Sequence, residues 1–256
     1  MLIRTIKETW ASVPVSDVET LFYYGGADFA REGADLVVPV ADDLLHVGRK
    51  TIACFEYVLE HCTFDVIFRT NTSTYIDLPE LSDFVAGRAR SSRFYAGVLG
   101  TRPLPFASGS GYFLSRDLVE LLVREQARLS PDLVDDVAVA AVLAEFDVTP
   151  EPAPRQDFDR VRDLRDLDRS QFQFRCRTQS WHRLEDARIM RGIHRILCDE
   201  CGNAVPRRPF ASRVVESVAL RPVSVTHGIL RRGHTLLFQA RRRAAARRRT
   251  SSARRA

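Results

Sequence analysis

Apolar positions alternate along this chain between short dense runs and helical spacings, and that pattern predicts strands and helices in turn. Ile3, Ile6 and Trp10 share one side of a short helix over 2–10. Residues 18–24 are β-prone and are stopped by Gly25-Gly26, which predicts a strand and a turn. Residues 36–40 read as a second short strand, and Pro39 suits an edge or a strand end. Ile52, Phe55, Leu59 and Cys62 recur at spacings of three and four, which predicts an amphipathic helix over 47–62. The apolar run 64–70 follows as a strand, passes through polar residues 71–74 and feeds a helix over 77–87. Asp77 can cap that helix, and Pro79 falls in its first turn, where a missing N–H costs little.

Residues 94–99 predict a further strand. Residues 105–114 form a glycine-interrupted approach to Ser115, which can cap a helix running to about Leu129. Residues 130–136 lead into a helix over 137–145. Residues 171–177 alternate strictly between polar and apolar, as a half-buried strand does, and a helix over 183–197 closes the folded part. Strands alternating with helices predict an α/β sheet with helices on its faces. In such sheets ligands sit where a buried strand ends in a polar loop and feeds a helix, which places residues 64–79 at the centre of the functional question.

Composition changes this picture at the C-terminus. The chain has 256 residues and a net charge of +5. Ten of its 38 basic residues lie in 231–256, which contain no acid, so residues 1–230 hold 28 basic against 33 acidic groups. The basic character therefore belongs to the tail, and a nucleic-acid-binding domain is not expected. This divides the chain into a globular domain, 1–205, and an arginine-rich tail, 206–256. Leu236, Leu237 and Phe238 beside the arginines suit peripheral contact with an anionic membrane through residues 231–256, with solvated disorder as the alternative. No run approaches the eighteen apolar residues of a membrane span, and the N-terminus lacks the apolar run of a signal peptide, so a cytoplasmic protein is expected. Five scattered cysteines do not make a disulfide framework. His194, Cys198 and Cys201 could hold zinc, but three candidate ligands without a second pair fall short of a structural set, and a plain helix end is the alternative.

Four groups carry candidate chemistry. Asp135-Asp136 stand at a loop-to-helix junction. There a carboxylate ordinarily answers the helix dipole, or can act as a general base toward a hydroxyl. Ser108-Gly109-Ser110-Gly111-Tyr112 lets backbone approach a ligand closely, or makes a bulge. Arg49-Lys50-Thr51 opposes the dipole at a helix start, which suits a bound anion such as a diphosphate. Asn71-Thr72-Ser73 sits at the strand end.

Together these pieces resemble the β-1,3-glycosyltransferases of the galactosyltransferase and Fringe type, which have the GT-A fold. Ile6-Lys7-Glu8-Thr9-Trp10 is similar to the family's Ile-Arg-x-Thr-Trp, and Lys50-Thr51 to its Leu-Lys-Thr. Phe68-Arg69-Thr70 with Tyr75-Ile76-Asp77-Leu78-Pro79 resembles Leu-Lys-Thr-Asp-Asp-Asp followed by Phe-Val-Asn-Leu-Pro. The stretch from Ser108 to Ser115 is similar to Ser-Gly-x-Gly-Tyr-x-x-Ser, and Asp135-Asp136-Val137 to Glu-Asp-Val. The likeness covers residues 3–150. It implies a GT-A-like mixed sheet flanked by helices, here lacking the first strand, and an inverting transfer of sugar from a nucleotide-sugar donor to a glycan or lipid-linked hydroxyl. On matching positions it implies Asp136, with Asp135 beside it, as the base. Lys50, Arg69, Asn71, Ser73, Gly109 and Gly111 would form the donor side. The chain departs from the family where Asn71-Thr72-Ser73 replace the acidic triplet that holds a divalent metal. An amide and two hydroxyls make a poor Mn²⁺ or Mg²⁺ site, so no metal cofactor is expected there, and cationic side chains must neutralise the departing diphosphate. The same loss supports a second expectation, a silent domain that binds a sugar nucleotide or glycan without turnover.

Overall fold

The computed structural model describes residues 2–86, 88, 92–177 and 184–198. The tail over 206–256, and Cys201, lie outside the described residues. In chain order the elements begin with α1 (Leu2–Lys7), β1 (Phe22–Gly25), β2 (Ala30–Glu32), β3 (Asp35–Val38) and α2 (Val47–His61). They continue with β4 (Val66–Thr70), β5 (Thr74–Ile76), α3 (Leu78–Ala86), β6 (Tyr95–Gly100), β7 (Phe106–Ser115), α4 (Arg116–Arg124) and α5 (Asp135–Ala144). The last are β8 (Glu151–Pro152), β9 (Gln156–Phe158), β10 (Gln173–Cys176) and α6 (Leu184–Cys198). This is an α/β protein with three small mixed sheets and flanking helices, ordered β1-β3-β2, β4-β7-β6-β8 and β5-β10-β9.

The first sheet pairs β3 parallel to β1 and antiparallel to β2, so β3 is central. Pro39 follows its last residue, so the proline ends the strand and does not mark an edge. The second sheet is built on β7, which runs antiparallel to both β4 and β6. Its ten residues include Gly109 and Gly111, so the stretch that reads as an interrupted approach is a central strand. The third sheet joins β10 to β5 and β9. The three residues of β5 are too short for a period to show, and they read as loop until β10 supplies their partner.

Two cores cover the two faces of β7. On one face Tyr112 and Leu114 pack with Leu118 and Leu122 of α4 and Val139 and Leu143 of α5. On the other, Phe113 is fully buried among aromatic rings, with centroids at 4.5 Å to Phe68, 5.3 Å to Phe84, 5.6 Å to Phe94 and 5.6 Å to Phe172. Burying each such ring contributes about 1.5–3 kcal/mol, so the sheet is clamped hardest along β7. The second core continues into the third sheet and α6 through Phe174, Ile189, Met190 and Ile193. No described helix is long and apolar enough to cross a membrane.

Candidate functional site

The C-terminal end of β4 delivers Arg69 into the protein, where its side chain is only 8% exposed. Opposite it in register stands Tyr112 of β7, and the guanidinium lies over that ring, 5.7 Å from its centroid. Arg69 donates through Nη1 to the Gly109 carbonyl at 2.8 Å, through Nη2 to Asp135 Oδ2 at 2.6 Å and through Nε to the Tyr23 hydroxyl at 3.2 Å. Burial opposes its charge, but Tyr23, Tyr112 and Asp135 around it hold its pKa above the ordinary guanidinium value. Tyr23 Oη is in turn 3.0 Å from the Thr51 hydroxyl, which donates to the Val47 carbonyl in the first turn of α2.

Asp135 and Asp136 occupy the first turn of α5. Their adjacent positions separate them by about 100° around the helix, so the two carboxylates face different surroundings. Asp135 turns to Arg69. Asp136 accepts the Gly109 N–H on Oδ2 at 2.7 Å and its neighbour Val137 N–H on Oδ1 at 2.9 Å. Burial raises the Asp136 pKa above the ordinary carboxylate value; the Gly109 and Val137 N–H groups and Arg69 pull it down, while Asp135 adds to the rise.

Asp136 also lines a cleft of about 280 Å³. Its walls are Arg102 and Pro103 from the β6–β7 connection, Phe106 at the start of β7, and Asp132, Leu133 and Val134 from the approach to α5. The volume lies just below the range of about 300–1,000 Å³ for drug-sized ligand sites and suits one ring-sized group. Arg102 is exposed and makes no ion pair among the described residues. Arg102, Phe106 and Asp132 carry no motif, and only the fold shows that they meet Asp136.

The structure therefore brings Asp135, Asp136, Arg69 and Gly109 together. The first turn of α2 abuts α5 at Gly48, where a methyl would lie 3.9 Å from Asp135 Cβ, but Lys50, two positions on and about 200° round the helix, is engaged elsewhere. Its amine pairs with Asp42, and its side chain is 12% exposed. Gly111 faces the aromatic core, where a methyl would lie 2.4 Å from Gln173 Nε2 and 2.5 Å from Phe68. Asn71 turns on its own loop: its side-chain oxygen accepts the Ser73 N–H at 3.0 Å and the Ser73 hydroxyl at 2.8 Å. Among the described residues no three His, Cys, Asp or Glu side chains form a metal ligand set. His194 Nδ1 lies 3.0 Å from the Tyr75 hydroxyl and 3.4 Å from Cys198 Sγ. No model of a known protein family matches this chain.

Proposed function

We propose that this protein is an inverting glycosyltransferase that moves a sugar from a nucleotide-sugar donor, a UDP-sugar by the sequence resemblance, to a hydroxyl of a glycan or lipid-linked acceptor. The observation that carries the reading is Asp136, a partly buried carboxylate with a raised pKa in the wall of a cleft sized for one ring. A base works best when its pKa approaches the working pH, and burial moves this carboxylate in that direction. The acceptor oxygen attacks the anomeric carbon, the bond to the diphosphate breaks on the opposite face, and the acceptor proton passes to Asp136. Phe106 offers an apolar wall for a sugar ring, and Arg102 and Asp132 offer partners for its hydroxyls.

The second reading, a silent domain that binds sugar nucleotide, is favoured by Asn71. The residue at the position of a metal-binding carboxylate uses its oxygen on its own turn. A mass-spectrometric screen of sugar nucleotides with the full chain, repeated with Asp136→Asn, separates the two. Transfer or donor hydrolysis that falls by about 10²–10⁴-fold in the variant is the enzyme's result. Nucleotide binding without turnover in the wild type overturns the enzyme reading and leaves the binding domain.

A further inference from the structure

We propose that Arg69 is a positioning residue: it fixes Gly109 and Asp135 around Asp136, so that the carboxylate keeps one orientation and one proton affinity. The role rests on reading Asp136 as the base, but its test does not need that reaction to occur.

The geometry is a closed circuit across three elements, β4, β7 and α5. Gly109 offers its N–H to Asp136 and its carbonyl to Arg69, so one residue is gripped from both sides. Arg69 also takes the neighbouring Asp135 carboxylate, and its third contact, Tyr23, ties the group to Thr51 of α2. A single planar guanidinium satisfies three partners in different directions, a task the point charge of lysine cannot perform. A side chain at Gly109 would force this arrangement to shift, since a methyl would sit 2.9 Å from Arg69 Nη1 and 3.3 Å from Asp136 Oδ2.

The charged and titratable groups around Asp136 come from every element packed on it. Arg69 reaches it from β4, Tyr95 from β6 and Asp135 from its own helix. Arg102 and Asp132 share the cleft. Of these, Arg69 alone both contacts the backbone that holds Asp136 and neutralises the neighbouring carboxylate.

The test is an NMR titration of full-length chain labelled at aspartate ¹³Cγ and amide ¹⁵N, with no substrate present. In the wild type, the Gly109 amide is expected to shift with the same pKa as the Asp136 carboxylate. If the two titrate independently, the circuit does not operate and the proposal fails. In Arg69→Lys the charge remains but the fork is lost. In Arg69→Met/Asp135→Asn both charges leave; their effects on Asp136 oppose each other, with that of Asp135 the larger. In each folded variant the Gly109 N–H bond weakens, so the Gly109 amide is expected to exchange faster, and in Arg69→Lys, where both charges remain, Asp136 is expected to titrate at higher pH than in the wild type. Folded variants that lose only melting temperature, with both signals where the wild type has them, make Arg69 a structural brace and overturn the proposal. A wild-type chain that transfers no sugar would refute the function proposed above and leave this titration untouched.

Discussion

Replacing Gly109 by alanine tests the site's construction with one methyl group. That methyl would sit 2.9 Å from Arg69 Nη1, 3.3 Å from Asp136 Oδ2 and 3.5 Å from Asp136 Cβ, where ordinary contacts run from 3.4 to 4 Å. Neither neighbour yields easily. Arg69 is held by three hydrogen bonds in a buried setting, and Asp136 by two backbone N–H groups. Overpacking of this kind costs about 1–3 kcal/mol, and moving Nη1 off the Gly109 carbonyl forfeits a charge-assisted bond worth about 1.5–3 kcal/mol. A loss of about 2.5–6 kcal/mol follows, measurable by urea unfolding with linear extrapolation. Gly48→Ala is the control. Its methyl meets Asp135 at 3.9 and 4.0 Å, an ordinary contact, and it sits in the first turn of α2. Alanine there is expected to stabilise, by at most about 1 kcal/mol, because glycine is a poor helix former. The reasoning is refuted if Gly109→Ala costs under about 0.5 kcal/mol, or if the two variants shift stability in the same direction.

Asp135→Asn leaves the Arg69 charge buried and unpaired, so it is expected to destabilise by about 3–5 kcal/mol, read from thermal or urea unfolding. Lys50→Met breaks a pair whose Asp42 side is 56% exposed, and a stability change within about 1 kcal/mol is expected from the same measurement. Gln173 is fully buried with both amide atoms lacking a partner among the described residues, so Gln173→Met is expected to be neutral or stabilising by about 1–3 kcal/mol; clear destabilisation would show that the amide has a partner. The pH dependence has a definite sign. Asp136 is protonated more readily in the folded state than in the unfolded one, so its contribution to stability falls as pH rises from the ordinary carboxylate value through its raised native pKa. Unfolding midpoints across pH 4–7 should therefore show Asp136→Asn gaining on the wild type as pH rises, and a constant difference would contradict the raised pKa.

The helices α2, α4 and α6 were legible because each carries an apolar face, as the pattern Ile52, Phe55, Leu59 and Cys62 shows, and α5 because an apolar run from Val137 to Ala144 follows its two acidic residues. The small sheets were less so. β5, β8 and β9 have two or three residues each, too few to express a period, and partners distant in sequence define them. The alternation of residues 171–177 placed Gln173 on a solvent face, yet β10 is covered on both sides and Gln173 is buried. A two-residue period cannot tell a polar face in water from a polar face under another layer of the fold. At the site, Asp135-Asp136 and the glycine-rich strand stood out by residue type. Their joining through Arg69 did not, because residues 69, 109 and 135 meet only when β4 and β7 pair and α5 docks on them.

That joining also divides two adjacent carboxylates between different tasks. Both stand in the first turn of one helix, so the dipole favours negative charge on each to a similar degree, and sequence position alone cannot distinguish them. The division comes from what lies across from the helix. Arg69 meets Asp135 within the protein, and that carboxylate is taken up in a largely buried ion pair. Asp136 receives backbone N–H groups and lines the cleft, and among the described residues no ion pair holds it. Its negative neighbour then helps to raise its proton affinity, as one of two close carboxylates does when the other stays ionised. The ion pair and the raised carboxylate are thus one arrangement, in which the charge of Asp135 beside Asp136 is part of what raises the proton affinity of Asp136.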